Sequence, residues 1–173
     1  MNKKYDFILK RRSIRKYKNT DIPEYDMKTI LKSAMHAPVP YEDRTWKLMV
    51  IEDKDVIDLI AEISGKQEWV RESNKLILGI ITPARGGKKW KIVDVTIALE
   101  NIVIMAEALG YGSCWVGYFK EKRLKELLKI PTDHQVLAYI TIGVKNEVPP
   151  DRDYGRAEDY IFLNKFGEKY TGY

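Results

Sequence analysis

The stretch IVDVTIALENIVIMAEAL, residues 92–109, is the feature that most restricts what this chain folds into. Its apolar side chains run nearly all round a helical circumference, interrupted by Asp94, Glu100, Asn101 and Glu107. A helix lying on a protein surface shows one apolar stripe and a polar back, whereas a helix without a polar back has to be enclosed. The chain has 173 residues, 45% of them apolar, which suits one globular domain spanning 1–173 that buries roughly 70% of its unfolded surface. Enclosing such a helix completely is hard for a domain of that size. Two arrangements answer the difficulty: the central helix of a monomeric domain, or a helix covered in part by a second subunit.

The remaining periodicities predict an α+β fold around that helix. A short helix is expected over residues 3–11, and Pro23 suits the first turn of a second, PEYDMKTILKSAM, with Ile30, Leu31 and Ala34 inward. APVPYEDRT at 37–45 is a loop, because Pro38 and Pro40 break a helix. WKLMVIED then reads as a strand, and DKDVIDLIAEI as a helix burying Val56, Leu59, Ile60 and Ile63. LILGII, 76–81, is a continuous apolar strand of the kind buried on both faces, followed by a basic, turn-rich loop at 83–90. Gly110 sits where a left-handed residue ends the long helix. SCWVGYF reads as a strand, KEKRLKELLKI as a helix stopped by Pro131, and QVLAYITIGV as a further strand. The result is a mixed, mostly antiparallel sheet of four or five strands flanked by helices. The C-terminal stretch from VPPDRDYG onward is extended or helical.

Composition narrows the function. The net charge of +5 suits nucleic acid or an anionic cofactor or nucleotide equally. The four Trp and eleven Tyr are scattered without a stacking platform, so nucleic acid is not expected as a partner. His36 and His134 are far apart and no ligand-spaced cluster appears, so no metal is expected. The single Cys114 fits a reducing compartment, and neither a leader nor a membrane span is read, which predicts a cytoplasmic protein. There is no G-x-S-x-G, G-x-G-x-x-G or Walker loop; RGGKK at 85–89 lacks the spacing. What remains is KRRSIRKY, 10–17, with Lys10, Arg11, Arg12, Arg15 and Lys16 around Ser13. Such a run is either a solvated helix end or an anion site in which arginine forks and a hydroxyl close on a phosphate.

Several stretches, in order, resemble the nitroreductase family of FMN-dependent α+β homodimers. They are RRSIRKY, SAMHAPVPYEDRTWKLMVI, DVTIALENIVIMAEALGYGSCWVGYF, IPTDHQVLAYITIGVKNEVPPDR and FLNKFG, together spanning nearly all of 5–167. The resemblance implies an intertwined homodimer and FMN as cofactor. It implies that Arg11 and Ser13 bind the phosphate or ribityl chain with Arg12 nearby, and that Arg15 reaches the pyrimidine edge of the flavin. A guanidinium there stabilises the negative charge of reduced flavin. Arg152 and Arg156 are the two candidates to complete the phosphate clamp. Trp115, Val116 and Gly117 would present backbone to the flavin edge, and Pro38, Val39, Pro40 and Tyr41 would contact FMN held mainly by the other subunit. The family loop before the Trp-led strand commonly reads P-S-x-x-N-x-Q-P-W. Here Val39, Glu42, Arg44 and Thr45 replace the Ser, Asn, Gln and Pro. The implied activity is hydride transfer from NADH or NADPH through FMN to a small electrophilic acceptor such as a nitroaromatic or quinone, with no catalytic side chain required. The altered loop also suits a flavin-binding or sensory relative without efficient turnover.

Overall fold

The computed structural model describes residues 6–39, 44–83 and 87–172. A five-residue helix α1 (Asp6–Lys10) is followed by the basic segment and by α2 (Glu24–Met35), which Pro23 precedes as N-cap rather than entering. Strand β1 (Trp46–Ile51) leads to α3 (Lys54–Ile63) and the one-turn α4 (Glu68–Arg71). Strand β2 (Lys75–Ile81) precedes the long helix α5 (Lys88–Ala108). Strand β3 (Tyr111–Val116), helix α6 (Glu121–Leu128) and strand β4 (Gln135–Val144) complete the regular structure, apart from a 3-10 turn at Ala157–Asp159.

The four strands form one sheet in the order β1-β2-β4-β3, with every neighbouring pair antiparallel. Strand alternation sends Ile77, Ile81, Ala138 and Ile140 to one face, where α2 and α5 pack, and Leu76, Leu78, Ile80 and Tyr139 to the other, where α3, α4 and α6 pack. β2 is buried along almost its whole length, as its unbroken apolar run requires. The Tyr139 hydroxyl, in the core of the second face, meets Ser64 Oγ at 2.7 Å.

Several boundaries differ from the sequence expectations, each for a local reason. In α3 the Asp53 carboxylate accepts from the backbone N–H of Asp55 and Val56. That cap sets the helix phase so that Ile57, Ile60 and Ala61 are buried, while Leu59, expected inward, is exposed. α5 begins at Lys88, inside the stretch expected as loop, because Gly87 caps it and its carbonyl accepts from Trp90 and Lys91 N–H. β3 starts at Tyr111 and ends at Val116, so Gly117 lies beyond the strand rather than within it.

α5 is enclosed on one side only. Val95, Ala98, Leu99, Ile102, Val103 and Ala106 are buried, whereas Val93, Ile97 and Ile104 are half-buried and Trp90 is exposed. These last four lie three, four and seven residues apart, which is one stripe along the helix. Beyond β4 the chain also leaves Val148, Tyr154, Tyr160, Leu163 and Phe166 exposed.

Candidate anion-binding site

The basic segment is held by its two apolar residues. Ile14 and Tyr17, three positions apart, are both buried, while the cationic side chains between and before them remain outside. They dock on a notch in the sheet where Gly112 of β3 stands opposite Gly143 of β4. A Cβ on Gly112 would lie 2.8 Å from Ile14 Cβ, and one on Gly143 would lie 2.7 Å from the Tyr17 ring. Only residues without a side chain leave this room. Backbone bonds fasten the segment: Ile14 N–H donates to Ser113 O at 3.0 Å, Lys18 N–H to Val144 O at 2.9 Å, and Asn146 N–H to Lys16 O at 3.0 Å. The Tyr17 hydroxyl donates to Ile14 O at 2.6 Å and meets Thr141 Oγ1 at 2.8 Å. Burial pushes the Tyr17 phenol far above its ordinary value.

Glu147 adds the last tie. One carboxylate oxygen accepts from the N–H groups of Arg15, at 2.5 Å, and Lys16, at 3.1 Å. The chain turning away from β4 is thereby brought over the basic segment. Between them opens a cleft of about 330 Å³ lined by Arg11, Arg12, Ser13, Arg15, Glu147 and Arg152, with Pro149, Pro150 and Tyr154. A second hollow of about 450 Å³ shares Arg12, Glu147 and Arg152 with it. Both lie in the size range of small-molecule sites.

The charge balance of the cleft is unusual. Arg71 and Arg156 sit in ion pairs with neighbouring carboxylates. Among the described residues, no such pair engages the guanidinium groups of Arg11, Arg12, Arg15 or Arg152. Four unpaired cations around one cleft, against the single carboxylate of Glu147, repel one another and are relieved by a bound anion.

The sequence candidates divide accordingly. Arg11, Arg12, Ser13, Arg15 and Arg152 come together in the cleft. Arg156 does not line it and pairs with Glu158. Trp115 and Val116 turn their side chains into the two sides of the sheet; Trp115 Nε1 donates to Glu100 at 3.2 Å, and Val116 is buried. Gly117 is exposed, and a Cβ there would meet nothing within 4 Å. Cys114 is buried beside Ser13; burial pushes its thiol up, and the charges of Arg15 and Arg11 only partly offset that. Pro38 is exposed and Val39 half-buried, both away from the cleft lining, while Pro40, Tyr41 and Glu42 lie outside the described residues. Two substituted loop positions have structural partners: Arg44 donates to the Met35 carbonyl at the end of α2, at 3.0 Å, and Thr45 Oγ1 donates to the buried Asp94, at 2.9 Å. Sequence reading missed Glu147, Pro149, Pro150 and Tyr154, which line the cleft, and Ile14 and Tyr17, which anchor it. The i, i+3 apolar pair inside a basic run was the available signal.

The family model described as the nitroreductase family matches residues 8–78 and 64–144. The chain is 30% identical, over 158 residues and 88% of its length, to an Archaeoglobus fulgidus protein provisionally named NADH dehydrogenase/NAD(P)H nitroreductase, of which it covers 89%. Among solved structures it is similar to a nitroreductase family protein from Clostridium novyi NT, with 31% identity, TM-score 0.77 and coverage of 96% of both chains. It is also similar to an FMN-dependent nitroreductase from Clostridium difficile R20291, with 29% identity, TM-score 0.82 and coverage of 92% of this chain and 98% of that one.

Proposed function

The chain belongs to the nitroreductase family, and from that premise we propose that it is an FMN-dependent NAD(P)H oxidoreductase whose cofactor occupies the arginine-lined cleft. The observation that carries this reading is the convergence of Arg11, Arg12, Arg15 and Arg152 on one cleft without carboxylate partners. Arg11, Arg12 and Arg152 bind the phosphate as charge-assisted donors, and the Ser13 hydroxyl adds a neutral one. Arg15 lies further along the same segment and sets the charge near the ring. The open space at Gly117 lets backbone approach the ring edge without a side chain between. When bound, FMN supplies the hydride chemistry, taking hydride from NADH or NADPH and passing it to a small electrophilic acceptor such as a nitroaromatic or quinone. Titration of purified protein with FMN tests the assignment. Replacing Arg11 with Ala removes a contact worth about 1.5–3 kcal/mol, so FMN affinity should fall roughly ten- to a hundredfold. Unchanged affinity takes Arg11 out of the site.

The same reading includes a homodimer. A second copy laid on the Trp90–Val93–Ile97–Ile104 stripe, with the exposed apolar residues after β4 lying across it, buries what one chain leaves open. Such an interface exceeds about 2,000 Å². Sedimentation should give twice the 20.2 kDa chain mass, and a stable FMN-loaded monomer refutes the dimer.

A further inference from the structure

Two cleft arginines stand against aromatic rings, but the ring behind Arg152 is that of Tyr154 in its own loop, 5.7 Å away, whereas the ring behind Arg15 comes from a different element. Its guanidinium carbon lies 5.5 Å from the centre of the Trp69 ring, within the range of cation–π attraction. Trp69 belongs to α4 and is half-buried against the core that α3, α4 and α6 share. That turn is fixed from several directions. Lys54 Nζ donates to the carbonyls of Arg71 and Ser73, Arg71 bonds to Glu68, and Gln67 donates to Ser64 O at 2.8 Å. Arg15 is thus contacted at both ends, its backbone N–H by Glu147 and its guanidinium by the Trp69 ring on that tethered turn. Trp69 itself does not line the cleft.

We propose that Trp69 is a positioning residue which holds the Arg15 charge at the cleft and thereby raises the reduction potential of the bound flavin. The proposal rests on the reading that FMN occupies the cleft. Reduced flavin carries a negative charge that oxidised flavin lacks, so a cation held nearby favours the reduced form. An arginine side chain without a fixed partner keeps its rotamer freedom and spends much of its time in solvent. With the indole face removed, the charge near the ring falls on average, and the reduced form loses more than the oxidised one.

The test compares Trp69→Leu, which keeps apolar bulk but has no aromatic face, with Trp69→Phe, which keeps a face. Each is made with and without Arg15→Ala. Two quantities are read: the midpoint potential of bound FMN against a reference dye, and the ring-current shift of the Arg15 side-chain protons in FMN-free protein. Trp69→Leu should lower the reduced-to-oxidised affinity ratio about two- to fivefold, which is about 10–20 mV for a two-electron couple, and abolish the upfield shift. Trp69→Phe should retain most of both effects. In the Arg15→Ala background Trp69→Leu should change the potential no further. The proposal is overturned if Trp69→Leu shifts the potential equally with and without Arg15, or leaves it unchanged while Arg15→Ala lowers it. Failure of the cofactor reading looks different: the ring-current shift is present, yet no FMN binds, and that outcome removes this role as well.

Discussion

Replacing Gly112 with Ala should detach the basic segment while leaving the sheet intact. The added Cβ would sit 2.8 Å from both Cβ and Cγ2 of Ile14 and 2.9 Å from its Cγ1. None of these atoms is the free end of a flexible chain, because Ile is branched at Cβ and stiff at χ1. The clash is resolved either by overpacking, at about 1–3 kcal/mol, or by expulsion of Ile14. Expulsion exposes a fully buried Ile, at about 1.5–3 kcal/mol, and breaks the Ile14 N–H bond to Ser113 O. The cheaper route sets the loss, about 1–3 kcal/mol in urea unfolding, and either one displaces Arg11, Arg12 and Arg15 from their common cleft. FMN affinity should therefore fall more than the loss of any one arginine produces. Ile14→Ala costs about 2–5 kcal/mol alone but makes room, so adding Gly112→Ala to it should cost little more. A Gly112→Ala protein with stability within 0.5 kcal/mol of the parent and unchanged FMN binding contradicts the docking argument.

Other perturbations have expected outcomes of similar sharpness. Tyr17→Phe removes a buried hydroxyl that bonds Ile14 O and Thr141, and should lower stability by about 1–2 kcal/mol, read as a shifted urea midpoint at constant slope. Burial raises the Tyr17 phenol strongly and pushes Tyr139 up to about 12. Their folded values exceed the unfolded value near 10, so the stability they confer is full below pH 10 and declines as pH climbs toward 12. The slope is at most about 1.4 kcal/mol per pH unit for each, and unfolding midpoints that stay level from pH 9 to 11.5 argue against it. Asp53→Ala removes the α3 cap and should cost about 1 kcal/mol in thermal or urea unfolding. Ile104→Arg places a charge on the open stripe of α5 and should yield monomeric or aggregating protein in sedimentation, without the paired species.

How much of this was legible in the sequence depended on how local each signal is. The unbroken run of β2 announces an enclosed strand directly, because burial on both faces leaves no room for polar residues, whereas the all-round apolar run of α5 marks a helix of which one chain covers only one side. α4 was invisible, since four residues cannot display a period. The Lys88–Trp90 turn of α5 has no apolar pattern, and its start is decided by the Gly87 cap. Leu59 and Ile57 were exchanged because the apolar residues of α3 fit two adjacent phases and the Asp53 cap selects one. The arginines of the cleft were conspicuous as charges, but their common direction was not. That direction comes from Ile14 and Tyr17 fitting between two glycines about a hundred residues away. Glu147, too, acts on a backbone 132 positions distant.

The glycine notch also fixes the order in which the molecule becomes competent. Tyr17 bonds a residue 124 positions away, and its seat exists only after β3 and β4 have paired. Closing so long a loop is entropically costly until the sheet offers a surface to reward it. Docking of residues 13–17 is therefore a late event on folding and an early one on opening. Amide exchange at Ile14 and Lys18 should outpace exchange in β2 and respond to FMN far more strongly. The arginine segment should then undock and re-dock as a local fluctuation while the strands stay paired.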